Sequence, residues 1–242
     1  MNKPMVAVTA IVPAAGVGKR MQSQHPKQYL SLAGKTVIEH TLAKLLASNY
    51  VERVVVALGA EDGYFYDLEI AQNPSVITVV GGQERVDSVL AALKASEQFA
   101  PQADAWSLIH DAARPCVSTE EIDRLVETCL TQHCGGLLAA PVKDTMKRGD
   151  TEQRVQTTVA REQLWHALTP QMYRTTELIQ AIEQGLANKV NITDESSAIE
   201  AAGLPSMLVN GSPNNLKITQ PEDLVLAEFL LMNEQRQEKQ ET

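Results

Sequence analysis

Immediately after the first apolar run the chain reads Pro13-Ala14-Ala15-Gly16-Val17-Gly18-Lys19-Arg20-Met21, and Pro26-Lys27-Gln28-Tyr29-Leu30 follows. Small residues let backbone N–H groups approach an anion closely because no Cβ stands in the way, and Arg20 and Lys27 add charge. The pattern fits a loop that holds the polyphosphate of a nucleotide. It is neither of the two commoner glycine loops. A dinucleotide fingerprint needs a third glycine where Met21 stands. A Walker loop needs glycine at Pro13 and a hydroxyl at Arg20. An ordinary strand-to-helix turn remains the alternative for this loop taken alone.

Two further segments can do related chemistry. In Gly81-Gly82-Gln83-Glu84-Arg85-Val86-Asp87-Ser88 the glycines allow close approach of a base or sugar, and the Ser88 hydroxyl offers a neutral donor or acceptor to a pyrimidine edge. The bland reading is a glycine turn before a helix. His110-Asp111-Ala112-Ala113-Arg114-Pro115 places a carboxylate where Mg²⁺ could share it with phosphate oxygens. Asp111 is therefore the metal candidate, and a helix or turn cap is its alternative. Ala112 and Ala113 leave room for a ribose, and Arg114 is a planar fork suited to a second phosphate. More cations and hydroxyls lie in Lys143-Asp144-Thr145-Met146-Lys147, in Arg161 with the segment 164–171, and in Asn214-Asn215-Leu216-Lys217-Ile218-Thr219. Together they suit transfer between two phosphates, which needs positioning and charge stabilisation but no side-chain nucleophile.

The elements that must hold these residues follow from hydrophobic pattern. Apolar runs at 6–12, Val51–Leu58, Val76–Val80, Trp106–Ile109 and 136–140 alternate with amphipathic segments, as in an α/β protein with a mostly parallel sheet. Ligands of such sheets sit beyond the carboxyl ends of strands, where the first, third and fourth runs carry the motifs above. Capping boxes are expected at Thr36 with Glu39, Ser118 with Glu121, and Thr219 with Glu222, the last helix having Pro221 in its first turn and running to about Met232 before a frayed polar end. Residues 143–159 alternate polar and apolar around Arg148-Gly149-Asp150-Thr151, which predicts a projecting β-hairpin. Such an arm is marginal alone, so a second subunit is its expected support.

Composition excludes several classes. A net charge of −9 and a pI near 5.1 argue against nonspecific nucleic-acid binding. No apolar stretch reaches the length of a membrane span, and no signal-peptide pattern opens the chain. The three cysteines and five histidines have no zinc-ligand or disulfide spacing. A cytoplasmic protein of one domain, 1–242, is expected, with a small-molecule substrate.

The ordered motifs P-A-A-G-x-G-x-R-M, P-K-Q-Y, G-G-x-E-R-x-D-S-V, H-D-A-A-R-P, K-D-T-M-K, L-W-x-x-x-T-P-Q, I-T-D-E and N-x-K-I-T span nearly the whole chain. In these it resembles the 2-C-methyl-D-erythritol 4-phosphate cytidylyltransferase family of the non-mevalonate isoprenoid route. The resemblance implies a doubly wound fold of the nucleotide-diphospho-sugar transferase type, a homodimer joined through the arm at about 143–160, and Mg²⁺ dependence. It further implies that Ala14, Ala15, Gly16 and Gly18 contact CTP and that Arg20 and Lys27 stabilise the pentavalent phosphorus. By the same resemblance Gly82 and Ser88 read cytosine, and Asp111 with Ala112 serves the ribose and metal side. Arg161 and Lys217 then position the methylerythritol phosphate, helped by Thr169 and Thr193, with Arg114 and Thr145 reaching in across the dimer. Asn214 departs from the family, where an acidic residue commonly precedes N-x-K. The rival readings are a sibling enzyme acting on ribitol 5-phosphate or another polyol phosphate, and a non-catalytic nucleotide-binding module.

Overall fold

The alternating apolar residues of the first strand decide the architecture. In β1 (Val8–Pro13), Ala10 and Val12 point to one side of the sheet and Ile11 to the other, and all three are fully buried. Both faces must therefore be covered. The computed structural model, which describes Val6 and residues 8–16, 25–99 and 105–238, has helices on each face. After a two-residue hairpin, β2 (Ser31–Leu32) with β3 (Lys35–Thr36), come α1 (Val37–Ala47), β4 (Val51–Leu58), β5 (Val76–Val80), α2 (Arg85–Ser96), β6 (Trp106–Ile109) and α3 (Thr119–Gln132). The second half holds β7 (Gly136–Pro141), β8 (Met146–Gly149), β9 (Val155–Val159), β10 (Trp165–Arg174), α4 (Thr175–Ala187), α5 (Glu195–Ala201), β11 (Met207–Asn210) and α6 (Pro221–Glu238). Ile38, Leu42 and Leu45 of α1 and Ile122 and Leu125 of α3 pack on the Ala10–Val12 side. Val89 and Leu93 of α2, Leu178 and Ile182 of α4 and Ile199 of α5 pack on the Ile11 side.

The seven-stranded sheet runs β11-β7-β10-β6-β1-β4-β5. All neighbouring pairs are parallel except those of β10, which is antiparallel to both β6 and β7. β1 sends its chain toward β4 on one side and has β6 on the other, which makes the β1/β6 boundary a topological switch point. Ile11 lies opposite Ile109, so the loops after Pro13 and after Ile109 emerge side by side. The phosphate-loop candidate and Asp111 are thus brought together by strand register.

The five apolar runs all form strands, and the hairpin and the boxes at Thr36 and Ser118 form as expected. The third box differs. Asp223, not Glu222, accepts from the backbone N–H of Thr219 and Gln220, and the helix continues through Glu238 rather than stopping near Met232. Pro221 at its first position fixes the start, which moves the reach-back carboxylate one residue along the chain. Among the described residues no helix is long and apolar enough to cross a membrane.

Candidate functional site

A pocket opens at the switch point, walled by Ala14, Ala15 and Gly16 after β1, by Gly82 and Ser88 after β5, by Asp111 and Ala112 after β6, and by Lys27 and Lys217. The structure therefore gathers most of the sequence candidates into one place. Gly18 and Arg20 lie outside the described residues. A Cβ placed on Gly16 would meet nothing within 4 Å, so its absence leaves room on the ligand side rather than serving internal packing.

The loop is set by a residue whose role the sequence did not reveal. Gln28 is almost fully buried, and its Nε2 donates to the carbonyls of Ala14 at 2.7 Å and Gly16 at 3.2 Å. Two acceptors that would repel a phosphate are thereby committed to a donor. The short turn Lys27–Tyr29 that carries Gln28 also holds Lys27, whose Nζ donates to the Ile218 carbonyl at 2.9 Å. Ile218 is buried and its N–H donates to the Ala113 carbonyl at 2.9 Å, which fixes the segment carrying Lys217 beside Asp111. Its position signals what the sequence could have shown: Gln28 follows directly on the lysine of P-K-Q-Y.

After β5, Ser88 turns its hydroxyl back on the glycine turn, accepting from the Gly82 N–H at 3.1 Å. A Cβ on Gly81 would stand 2.8 Å from Ser88 Oγ and 2.9 Å from the Ala15 Cβ, and one on Gly82 would stand 2.2 Å from the Asp87 Cβ. Both glycines are therefore demanded by close packing of this turn against the first loop and α2.

Asp111 is the electrostatic centre. Its Oδ1 accepts from Arg85 Nε at 3.0 Å, its Oδ2 meets Lys217 Nζ at 2.8 Å, and Arg114 Nε lies 3.5 Å from Oδ2. Burial alone would raise its pKa, but Arg85, Lys217 and Arg114 hold the carboxyl well below the usual carboxylate range. Arg85 was not singled out by sequence reasoning. Burial opposes its charge, yet Glu195 and Asp111 keep it firmly protonated, with the fork bidentate on Glu195 at 2.7 and 3.1 Å.

Behind Asp111 runs a hydrogen-bonded chain. The Asp111 N–H donates to Thr169 Oγ1 at 3.1 Å, Thr169 Oγ1 lies 3.0 Å from His110 Nδ1, and His110 Nε2 lies 3.0 Å from the Arg114 carbonyl. A carbonyl only accepts, so Nε2 carries the proton and Nδ1 accepts from the threonine hydroxyl. Burial pushes the His110 pKa down to about 4, in keeping with a neutral ring.

Thr169 is thus placed behind the carboxylate, with its hydroxyl engaged there. Arg114, expected to reach across a dimer, has contacts within its own chain. Its side chain is 11% exposed, and Nη1 donates to the Asn215 carbonyl of its own chain at 2.6 Å. Burial lowers its pKa against the pull of Asp111. Its Nε faces the carboxylate at 3.5 Å while the terminal Nη1 turns away to Asn215. Arg161, Thr145 and Thr193 do not line the pocket. Arg161 donates to the Lys143 carbonyl and borders a separate hollow with Trp165. Thr145 is exposed beside β8, and Thr193 is exposed just before α5, its N–H donating to Ser197 Oγ at 3.0 Å.

The donor set fits one kind of metal. Among the described residues no three His, Cys, Asp or Glu side chains converge, which excludes an all-protein cage there. Mg²⁺ is commonly held by one or two carboxylates with substrate phosphates supplying further oxygens. Asp111, beside a loop suited to phosphates, meets that requirement.

Residues 8–233 match the family model described as 2-C-methyl-D-erythritol 4-phosphate cytidylyltransferase. A protein of that name from Colwellia psychrerythraea is 55% identical over 231 residues, covering 91% of this chain and 93% of its own length. One from Vibrio vulnificus is 52% identical over 234 residues, covering 97% of this chain and 98% of its own. The crystal structure of the Francisella tularensis protein of the same name superposes with a TM-score of 0.79 at 34% identity, over 93% of this chain and 99% of that one.

Proposed function

This chain belongs to the 2-C-methyl-D-erythritol 4-phosphate cytidylyltransferase family, and from that premise we propose the parts its own residues play. It is a nucleotidyltransferase of isoprenoid synthesis that transfers the cytidylyl group of CTP to 2-C-methyl-D-erythritol 4-phosphate, forming 4-diphosphocytidyl-2-C-methyl-D-erythritol and pyrophosphate. An oxygen of the acceptor phosphate attacks the α-phosphorus in line, a P–O bond forms, and the bond to the departing pyrophosphate breaks. The attacking phosphate is already anionic near neutral pH, so the site needs no general base.

The obstacle is repulsion between anions. Ala14, Ala15, Gly16 and Gly18 cradle the triphosphate, and Arg20 with Lys27 meets the charge that develops on the α-phosphoryl group. Asp111 would hold Mg²⁺ together with nucleotide phosphates, and that ion supplies neutralisation of the triphosphate. Gly82 and Ser88 face the cytosine, Ala112 the ribose, and Lys217 the acceptor phosphate. The observation that carries this reading is the meeting of the glycine loop, Lys27, Asp111 and Lys217 around one pocket.

Arg161, Thr145 and Thr193 belong to the acceptor side in this reading. Neither Arg161 nor Thr145 lines the pocket of its own chain, and Met146 and Val155 are exposed on the arm. A homodimer joined through the arm at about 143–160 covers those side chains and carries Thr145 toward a partner's pocket. The chain acts as one domain in the cytoplasm, on small molecules, without nucleic acid or membrane.

The test is pyrophosphate release from CTP, UTP, ATP and GTP, each with methylerythritol phosphate or ribitol phosphate. Release confined to CTP with methylerythritol phosphate is expected. Preference for ribitol phosphate would move the assignment to another polyol phosphate, and no acceptor-dependent release would overturn it.

A further inference from the structure

Arg85 opens α2, where a cation opposes the helix dipole, and Glu195 opens α5 with its side chain only 3% exposed. Replacing a buried ion pair by apolar groups of similar volume is often neutral or stabilising, so stability alone accounts poorly for this pair. Its geometry supplies another account. Both terminal nitrogens of Arg85 close on Glu195, and the remaining Nε donates to Asp111 Oδ1 at 3.0 Å.

Glu195 itself stands on a fixed base. Asp194 caps α5 by accepting from Ser197 N–H at 3.0 Å and also accepts from Gln171 Nε2 of β10 at 2.9 Å. Gln171 Oε1 in turn accepts from Ser196 N–H at 2.8 Å. Gln171 is buried in the central sheet, so the orientation of Glu195 is tied to the same sheet that carries Asp111. A guanidinium is planar and rigid, and passes that orientation on.

We propose that Glu195, acting through Arg85, is a positioning residue of the nucleotide site that engages Asp111 Oδ1 and so presents Oδ2 toward Lys217 and the bound nucleotide. The proposal rests on the assignment of Asp111 to the nucleotide side of the pocket. Charge at position 85 is insufficient for this role, because lysine cannot hold two carboxylates in the plane of one fork.

The test is a double-variant cycle read by calorimetric titration of CTP with magnesium into the wild type, Glu195→Gln, Asp111→Asn and the combined variant, with thermal melting of each. Glu195→Gln is expected to weaken CTP binding about tenfold in the wild-type background and by less than about twofold once Asp111 is Asn, since residues acting through one group are not additive. Arg85→Lys should lose as much as Glu195→Gln. Glu195→Asp keeps the charge but shortens the arm, and it should also weaken CTP binding. Equal losses in both backgrounds, full affinity in Glu195→Asp, or lowered melting with unchanged CTP binding would each overturn the proposal. These outcomes concern CTP alone, so failure of transfer to methylerythritol phosphate would be a separate result.

Discussion

Lys217 Nζ lies 2.8 Å from Asp111 Oδ2, so the cation assigned to the acceptor phosphate and the carboxylate assigned to the nucleotide side are direct partners. The arrangement also makes the carboxylate the common counter-charge of Arg85, Lys217 and Arg114, and its consequences can be measured.

Replacing Asp111 by Asn leaves Arg114, which is largely buried, without its counter-charge. Breaking a buried pair on one side costs about 3 kcal/mol or more. Urea unfolding at pH 7 should show Asp111→Asn destabilised by about that amount, together with loss of most turnover. An unchanged midpoint would mean that the cations do not depend on Asp111.

Lys27→Ala and Lys217→Ala should each lower kcat/KM by about 10² or more, the scale observed when a preorganised donor to developing negative charge is removed. Steady-state kinetics with both substrates varied checks this. Near-normal turnover in either variant would remove that lysine from the account.

Gly82→Ala tests the turn proposed to face the base. The added methyl would stand 2.2 Å from the Asp87 Cβ, and the Asp87 carboxylate accepts from the Glu84 N–H at the start of α2. The turn must move, weakening CTP binding by about tenfold or more and loosening a helix cap by about 1 kcal/mol. Wild-type CTP affinity in a folded Gly82→Ala protein would show that the turn does not contact the nucleotide.

The buried neutral His110 makes stability depend on pH. Its pKa is pushed down to about 4 in the folded protein, against about 6.5 in an unfolded chain. The unfolded state therefore takes up the proton first as pH falls. The contribution is complete above pH about 6.5 and is lost as pH drops toward 4, on the order of 3 kcal/mol in all. Urea midpoints measured from pH 7 to 4.5 should fall more steeply for the wild type than for His110→Gln. Parallel slopes would show that His110 does not titrate as its burial demands.

The sequence made the central strands legible because the second half of Val51–Leu58, from Val54 on, is a continuous apolar run buried on both faces, as a central parallel strand must be. It concealed β10, whose Trp165–Arg174 mixes polar residues with Pro170 and shifts register between Ala167 and Gln171. Lys27, Asp111 and Lys217 stood out because each is a charged residue in a short motif beside small or apolar neighbours. Arg85 did not, since its meaning depends on Glu195, 110 residues away in the chain. Arg114 was visible as a phosphate ligand by type alone, and only the fold shows its Nε facing Asp111 and its Nη1 on the Asn215 carbonyl.

The central claim is direct attack of the acceptor phosphate on the α-phosphorus, held by these cations with no covalent nucleotidyl intermediate. The most direct measurement uses CTP made chiral at the α-phosphorus by sulfur substitution, with the configuration of the product read by phosphorus NMR. Inversion is predicted, because one in-line displacement inverts the centre. Retention would require two displacements and a nucleophile on the protein, and would contradict the account.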